Sequence, residues 1–393
     1  MGYPPVVLFD DDRYGQLLPL TFTRPAACLR SGILTQAERW EKLTGQEPGY
    51  LTSPVLQTKY RNKTGAALYI NGRLLADETA MKELLALQPG QSIWQEQQLI
   101  ACYSTDTIYS AEQLTGVQKA DISVDTYTLI QRPWDLFSMA KTWITADFLW
   151  ITSGKQSAPV SATNTVIGKD LFIEPGAQVE AAVINTTSGP VYIGKDAEVM
   201  EGSMIRGPFA LGDHSTLKMG AKIYGATSIG PHCKVGGEVN NSMIFGFSNK
   251  AHDGFLGNSV IGEWCNLGAD TNNSNLKNNY AEVRMYDYLT GRFIHTGLQF
   301  CGLIMGDHSK CGINTMFNTG TVVGVNANIF GDGFPRNFIP SFSWGGAAGF
   351  TTYKLADALT VAEAVMQRRG LQLNQTDKDI LTYIFESTRA QRQ

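Results

Sequence analysis

From Ile193 to Val235 every sixth residue is aliphatic: Ile193, Val199, Ile205, Leu211, Leu217, Ile223, Ile229 and Val235. Helices and ordinary strands repeat near 3.6 and 2 residues, so neither produces this pattern. Gly194, Gly212 and Gly230 each follow one of these aliphatics and stand eighteen residues apart. Three sixes per eighteen describe a coil with three flat sides. The aliphatic points inward, and the small residue after it lets the chain turn a corner. Successive coils then pair at the sheet spacing of roughly 4.8 Å, which defines a parallel β-solenoid. Upstream the rhythm reaches Ile167-Gly168, Ile173 and Val179, and downstream it returns at Ile261-Gly262, Leu267-Gly268, Met305-Gly306, Cys311-Gly312, Val323-Gly324 and Ile329. A solenoid domain over residues 158–345 follows, with about eight to ten coils. The repeat is interrupted at 240–260 and 270–302. Both interruptions read as loops thrown out of a regular scaffold, where sites usually sit.

Residues 1–152 are patterned differently. Val6–Phe9 is a short apolar run, as in a buried parallel strand, and Ala66–Ile70 and Leu99–Tyr103 are further strands. Ile33–Leu43 and Asp77–Leu87 are predicted helices, the second halted by Pro89-Gly90. This alternation predicts an α/β domain with a mostly parallel sheet. Trp134–Trp150 is an amphipathic helix leading toward the solenoid. The segment 350–393 holds two more helices. One runs from about Leu355 to Arg369, with Gly370 as its cap. The other starts at Thr376 and carries an apolar face of Ile380, Leu381, Ile384 and Phe385. These helices are expected on the solenoid end or on a neighbouring subunit.

Composition narrows the picture. The chain has 393 residues, 43% of them hydrophobic, enough for two or three domains with real cores. A net charge of −4 implies no general attraction to nucleic acid or to anionic membrane. No run of about eighteen apolar residues and no basic-then-apolar N-terminus is visible, so neither a membrane span nor a secretory signal is expected. The six cysteines form no CxxC pair and read as reduced thiols of a cytoplasmic protein.

One stretch carries a specific motif. Glu238, His252, Phe255, Gly257, Asn266, Gly268, Ala269, Thr271 and Asn275 follow, without a gap, the spacing Glu-x13-His-x-x-Tyr-x-Gly, then Asn-x-Gly-Ala-x-Thr, then Asn-Tyr. With its α/β-then-solenoid layout, the chain resembles the bacterial sugar nucleotidyltransferases with a fused acyltransferase. It is most similar to the family that acetylates glucosamine-1-phosphate and then uridylylates it. The resemblance implies a left-handed solenoid, an acyl-CoA such as acetyl-CoA as co-substrate, and a homotrimer with CoA between adjacent solenoids. It also implies a sugar-phosphate site at Lys222, Asn240, Phe255 and Asn275. There Lys222 stands for an arginine, Asn240 for a lysine, Phe255 for a tyrosine, and Leu276 for a second tyrosine. In the N-terminal half the family cradles a triphosphate on a glycine-rich loop, with Mg²⁺ held by an aspartate. Here Asp10-Asp11-Asp12-Arg13-Tyr14-Gly15 follows the first strand, and Arg73 in Asn71-Gly72-Arg73 stands where the metal carboxylate belongs. Mg²⁺-dependent nucleotidyl transfer of the usual kind is therefore not expected, and no metal ligands are assigned.

Acyl transfer from a thioester needs a general base and a donor for the tetrahedral oxyanion. His252 is the candidate base, Glu238 its orienting carboxylate, and Asn266 a hydrogen-bond donor to acceptor or oxyanion. The Ala269 N–H would hold the acyl donor. His214, His232 and His308 read as solvated or coil-stacking residues. Asp10–Asp12 read as a solvated turn or, less readily, a metal site. Arg24 and Arg30 would bind a phosphate or pair with those aspartates. Three readings stay open: an acyl-CoA-dependent acyltransferase on a sugar phosphate or nucleotide sugar, a sugar-1-phosphate nucleotidyltransferase with an atypical loop, and an inactive scaffold or ligand sensor.

Overall fold

A computed structural model describes residues 3–116, 118–119 and 127–392. The chain forms two compact units. The first comprises Met1–Leu17, Thr23–Leu29 and Leu34–Arg132, and the second Leu18–Phe22, Arg30–Ile33 and Pro133–Gln393.

The first unit is built on a six-stranded sheet in the order Gly49–Leu51, Val6–Phe9, Ala67–Asn71, Gln98–Ser104, Gln91–Gln95, Gln118–Lys119. Val6–Phe9 runs parallel to both its neighbours and is buried along its whole length, as its four apolar residues require. Gln98–Ser104 is antiparallel to Ala67–Asn71 and to Gln91–Gln95. The first helix is Gln36–Thr44, later than the apolar pattern alone suggests, because Thr35 caps it. Thr35 Oγ1 accepts from the Glu38 N–H, and the Glu38 carboxylate accepts from the Thr35 N–H. Gly45, in the left-handed region at φ 69°, closes the other end.

The second unit is a parallel β-solenoid. One face has nine strands, from Leu171–Ile173 to Phe338–Ile339. Another has ten, from Gln178–Val179 to Gly349–Thr352. The third has six, from Thr165–Ile167 to Phe255–Gly257, and Asn272–Asn273 with Met316–Phe317 form a separate pair. The period-six aliphatics form one buried core from Ile173 to Ile339.

The two interruptions turn out to be different things. Across 240–260 the ladder never breaks. Val235 pairs with Lys250, fifteen residues on, and Val239 with Leu256, seventeen on. The corners shorten and lengthen while the strands stay in register, so this stretch is not a loop outside the scaffold. The second interruption is a true excursion. Leu267 pairs with Cys311, forty-four residues later. The excursion carries an antiparallel hairpin, Arg284–Asp287 with Arg292–His295, whose Tyr286 stacks on Phe338 at 3.5 Å.

The expected Trp134–Trp150 helix is two helices, Asp135–Ser138 and Ala140–Thr152, jointed at Met139. The terminal helices are Leu355–Gln367 and Gln375–Ser387. They pack on the solenoid: Phe385 meets Phe342 edge-on at 5.1 Å, and Arg369 donates to Asn249 Oδ1 at 3.2 Å. Among the described residues no helix is long and apolar enough to cross a membrane.

Candidate functional site

The corners between the ten-stranded and six-stranded faces stack into a groove of about 630 Å³. His252 and Ala269 both line it, with Met200, Lys218, Asp253 and Asp270. His252 is exposed there, in the tight turn between Asn249–Lys250 and Phe255–Gly257. The turn lies hard against the previous coil. A Cβ on Gly237, already at φ 71°, would sit 2.8 Å from the His252 carbonyl oxygen. Only glycine satisfies both the backbone conformation and that approach.

Beneath the turn is a residue the sequence reading passed over. Lys250 occupies an inward position, paired in register with the core residue Val235. It is 2% exposed, and its Nζ donates to the carbonyl oxygens of His252 and Asp253, the latter at 3.2 Å. A cation inside an aliphatic core is rare unless partnered. Burial pushes its pKa down to about 8, against the opposing pull of Asp253 and Asp270. The repeat itself gives no signal for it: counted in sixes from Val235, the inward positions fall at Asn241, Phe247 and Asp253, and only the fifteen-residue register step puts Lys250 inside.

The remaining candidates divide among three places. Lys222, Glu238 and Phe255 are register partners on three successive coils of the six-stranded face. Asn240 lies between Tyr224 and Gly257 on the same face. Glu238 directly follows the Gly236-Gly237 corner against which the His252 turn rests. Among the described residues no ion pair joins Glu238 to His252. Asn275 Nδ2 donates to Asn258 Oδ1 at 2.8 Å, and a Cβ on Gly257 would meet Asn275 Nδ2 at 2.7 Å and the Phe255 ring at 2.5 Å. Asn275 and Phe255 thus close over Gly257. Asn272 Oδ1 and Asn273 Oδ1 accept from the Phe255 and Gly257 N–H groups, so side chains complete the end of this face's ladder. Asn266 stands apart from the His252 groove. It lies on the ten-stranded face between Asn249 and Lys310 and lines a different cleft.

In the first unit, the expectation of a solvated Asp10–Asp12 turn holds for Asp12, which is exposed, and is corrected for Asp10 and Asp11. Asp10 is buried, accepts from the Ala26 N–H at 2.9 Å and from Thr52 Oγ1 at 2.5 Å, and burial pushes its pKa up to about 6. Arg73, fully buried, donates to both oxygens of Asp11 and to Ile130 O, Gln131 Oε1 and Gln98 Oε1. Asn71 Nδ2 adds a bond to Asp11 at 2.9 Å. Burial pushes the Asp11 pKa up, but its bonds and charge contact with Arg73 outweigh that and hold it below the usual carboxylate value. A divalent cation does not fit here, because the guanidinium already fills the carboxylate's coordination directions. Arg24 is buried, with Nη2 donating to Thr23 Oγ1 at 3.4 Å.

Residues 6–156 match the family model described as sugar nucleotidyl transferase. No curated protein matches the chain. Among solved structures, the chain is similar to an Arabidopsis UDP-N-acetylglucosamine acyltransferase. That likeness has 17% identity, 59% of this chain and 93% of that one covered, and a TM-score of 0.24. The Campylobacter jejuni UDP-N-acetylglucosamine acyltransferase shows 14% identity, coverage of 58% and 96%, and a TM-score of 0.22. The polysialic acid O-acetyltransferase OatWY shows 15% identity, coverage of 48% and 85%, and a TM-score of 0.20.

Proposed function

We propose that this chain is an acyl-CoA-dependent acyltransferase acting on a sugar phosphate or nucleotide sugar, with His252 as general base. The observation that carries the reading is the groove in which His252 and Ala269, seventeen residues apart, line one wall. The spacing of the surrounding motif supports it. In the reaction His252 takes the proton from the acceptor hydroxyl or amine as that atom attacks the thioester carbonyl. The carbon–sulfur bond then breaks, and the CoA thiolate leaves with the proton returned by the imidazolium. Lys250 acts from below, fixing the two carbonyls of the turn that presents the imidazole. Glu238, with Lys222 and Phe255 beside it on the adjoining face, is assigned to the acceptor rather than to a triad. Incubation with acetyl-CoA and a panel of sugar phosphates and nucleotide sugars tests the reading. Acetylated product with equimolar thiol release is expected, and acceptor-independent hydrolysis alone would count against it.

A homotrimer is part of this reading. The outer rows of the six-stranded face leave Val183, Met204 and Tyr224 41%, 54% and 43% exposed, more apolar surface than a lone prism needs. Sedimentation at micromolar protein checks it, and a persistent 43.0 kDa monomer would remove it. The second reading, sugar-1-phosphate nucleotidyl transfer, is favoured by the match over residues 6–156 and opposed by the Arg73–Asp11 pair.

A further inference from the structure

The ten-stranded face and the C-terminal end of the Leu355–Gln367 helix enclose a separate cleft of about 450 Å³. We propose that this cleft is a second ligand site, taking a phosphate-bearing small molecule. Four cations converge on it, Lys234 and Lys310 from the solenoid and Arg368 and Arg369 from the helix end, and among the described residues no carboxylate lines it. Among the described residues none of the four is ion-paired. Asn249 Nδ2 donates to Asn266 Oδ1 at 3.5 Å, which leaves the Asn266 amide nitrogen as a further donor, and Arg369 is held in place by its bond to Asn249 Oδ1.

Arginines at a helix C-terminus offset the macrodipole, which accounts for Arg368 and Arg369 on their own. It does not account for two lysines opposite them. Lys310 is the telling one. Among the described residues its Nζ donates only to the His308 carbonyl, at 2.8 Å. Burial pushes its pKa down to about 8. Lys310 is partly buried, and a partly desolvated ammonium with no ion-pair partner among the described residues is a cost that an incoming anion relieves. The wall beside it is rigid. His214, His232, Phe247, Trp264 and His308 occupy left-handed corner positions and stack in sequence, with centroids 4.9, 4.8, 4.2 and 6.1 Å apart. The faces of Phe247 and Trp264 are therefore taken up by one another. What remains for the ligand is an edge-lined, cation-rich cleft suited to phosphate oxygens rather than to a stacked base.

Ala251 lines both this cleft and the His252 groove. The phosphate has two sources, a free nucleotide or the phosphate end of a CoA-type co-substrate. Calorimetric titration of the full chain with inorganic pyrophosphate, UDP and CoA separates them. Binding of pyrophosphate is expected, with UDP or CoA binding more tightly according to the source. The Arg368→Gln/Arg369→Gln double variant is expected to weaken all three by about tenfold or more, with unchanged far-UV dichroism. The exposed single variant Lys234→Gln should weaken them less. His252→Ala should leave pyrophosphate affinity unchanged. If none of the three binds more tightly than about 1 mM, or if both cation variants bind as well as the parent, the proposal fails.

Discussion

Arg73 donates through Nε and Nη2 to the two carboxylate oxygens of Asp11, at 2.9 and 2.5 Å. Removing only the cation leaves a mostly buried aspartate without its counter-charge. Arg73→Met should therefore destabilise the first unit by roughly 3–5 kcal/mol in denaturant unfolding. The double variant Arg73→Met/Asp11→Leu should recover most of that loss. Consistent with this pairing, no pyrophosphate release is expected from UTP, dTTP or CTP with a sugar-1-phosphate and Mg²⁺.

Asp10 gives a pH signature. Its folded pKa is raised from 3.8 to about 6, mainly by burial, with Asp11 adding to the rise and Thr52, Ala26 and Arg73 opposing it. The folded state holds the proton more tightly than the unfolded chain. Its contribution to stability is thus full below pH 3.8 and is lost as pH rises through about 6. Asp10→Asn keeps an acceptor for the Ala26 N–H and a partner for Thr52. It should flatten the pH dependence between these limits and leave the protein no less stable at pH 7, read by thermal unfolding across pH.

Lys250 couples stability to the site. Its folded pKa is lowered from 10.5 to about 8, so the unfolded chain binds more protons between these values and stability rises with pH across them. Lys310, lowered to the same value, adds to the same rise. Lys250→Met should reduce that slope. It should also slow acyl transfer about tenfold at pH 7, because the His252 turn loses its internal tether while the imidazole remains. An unchanged rate would show that the tether has no role in positioning.

Gly237→Ala tests the close approach of the coils. The added methyl meets the His252 carbonyl and the Asp253 backbone at 2.8 Å in a left-handed residue. The His252 turn must shift, and turnover should fall more than acetyl-CoA affinity.

The solenoid was legible because its period is set by three-sided geometry, and the core from Ile193 to Val235 is the one the aliphatic repeat predicts. The 240–260 stretch was misread because a shortened corner and an ejected loop break the period alike. Only the register Val235↔Lys250 distinguishes them. Lys250 itself was hidden by the assumption that inward positions are apolar. His252 and Ala269 lie at the same corner of successive coils, a neighbourhood that follows from the coil register rather than from the motif's linear spacing. Asn266 lies on the neighbouring flat face, a position that depends on where each corner turns. The Arg73–Asp11 pair spans sixty-two residues and is fixed by strand order, which local patterning does not reveal.

The most direct measurement is thiol release from acetyl-CoA, in the presence of its acceptor, by the parent protein and by His252→Ala. Proton abstraction by a placed base contributes roughly 10²–10⁴-fold to such a step. The variant should lose turnover by that factor while binding CoA with nearly unchanged affinity. A variant that retains parental turnover would contradict the assignment of His252 as the base and, with it, the acyltransferase mechanism.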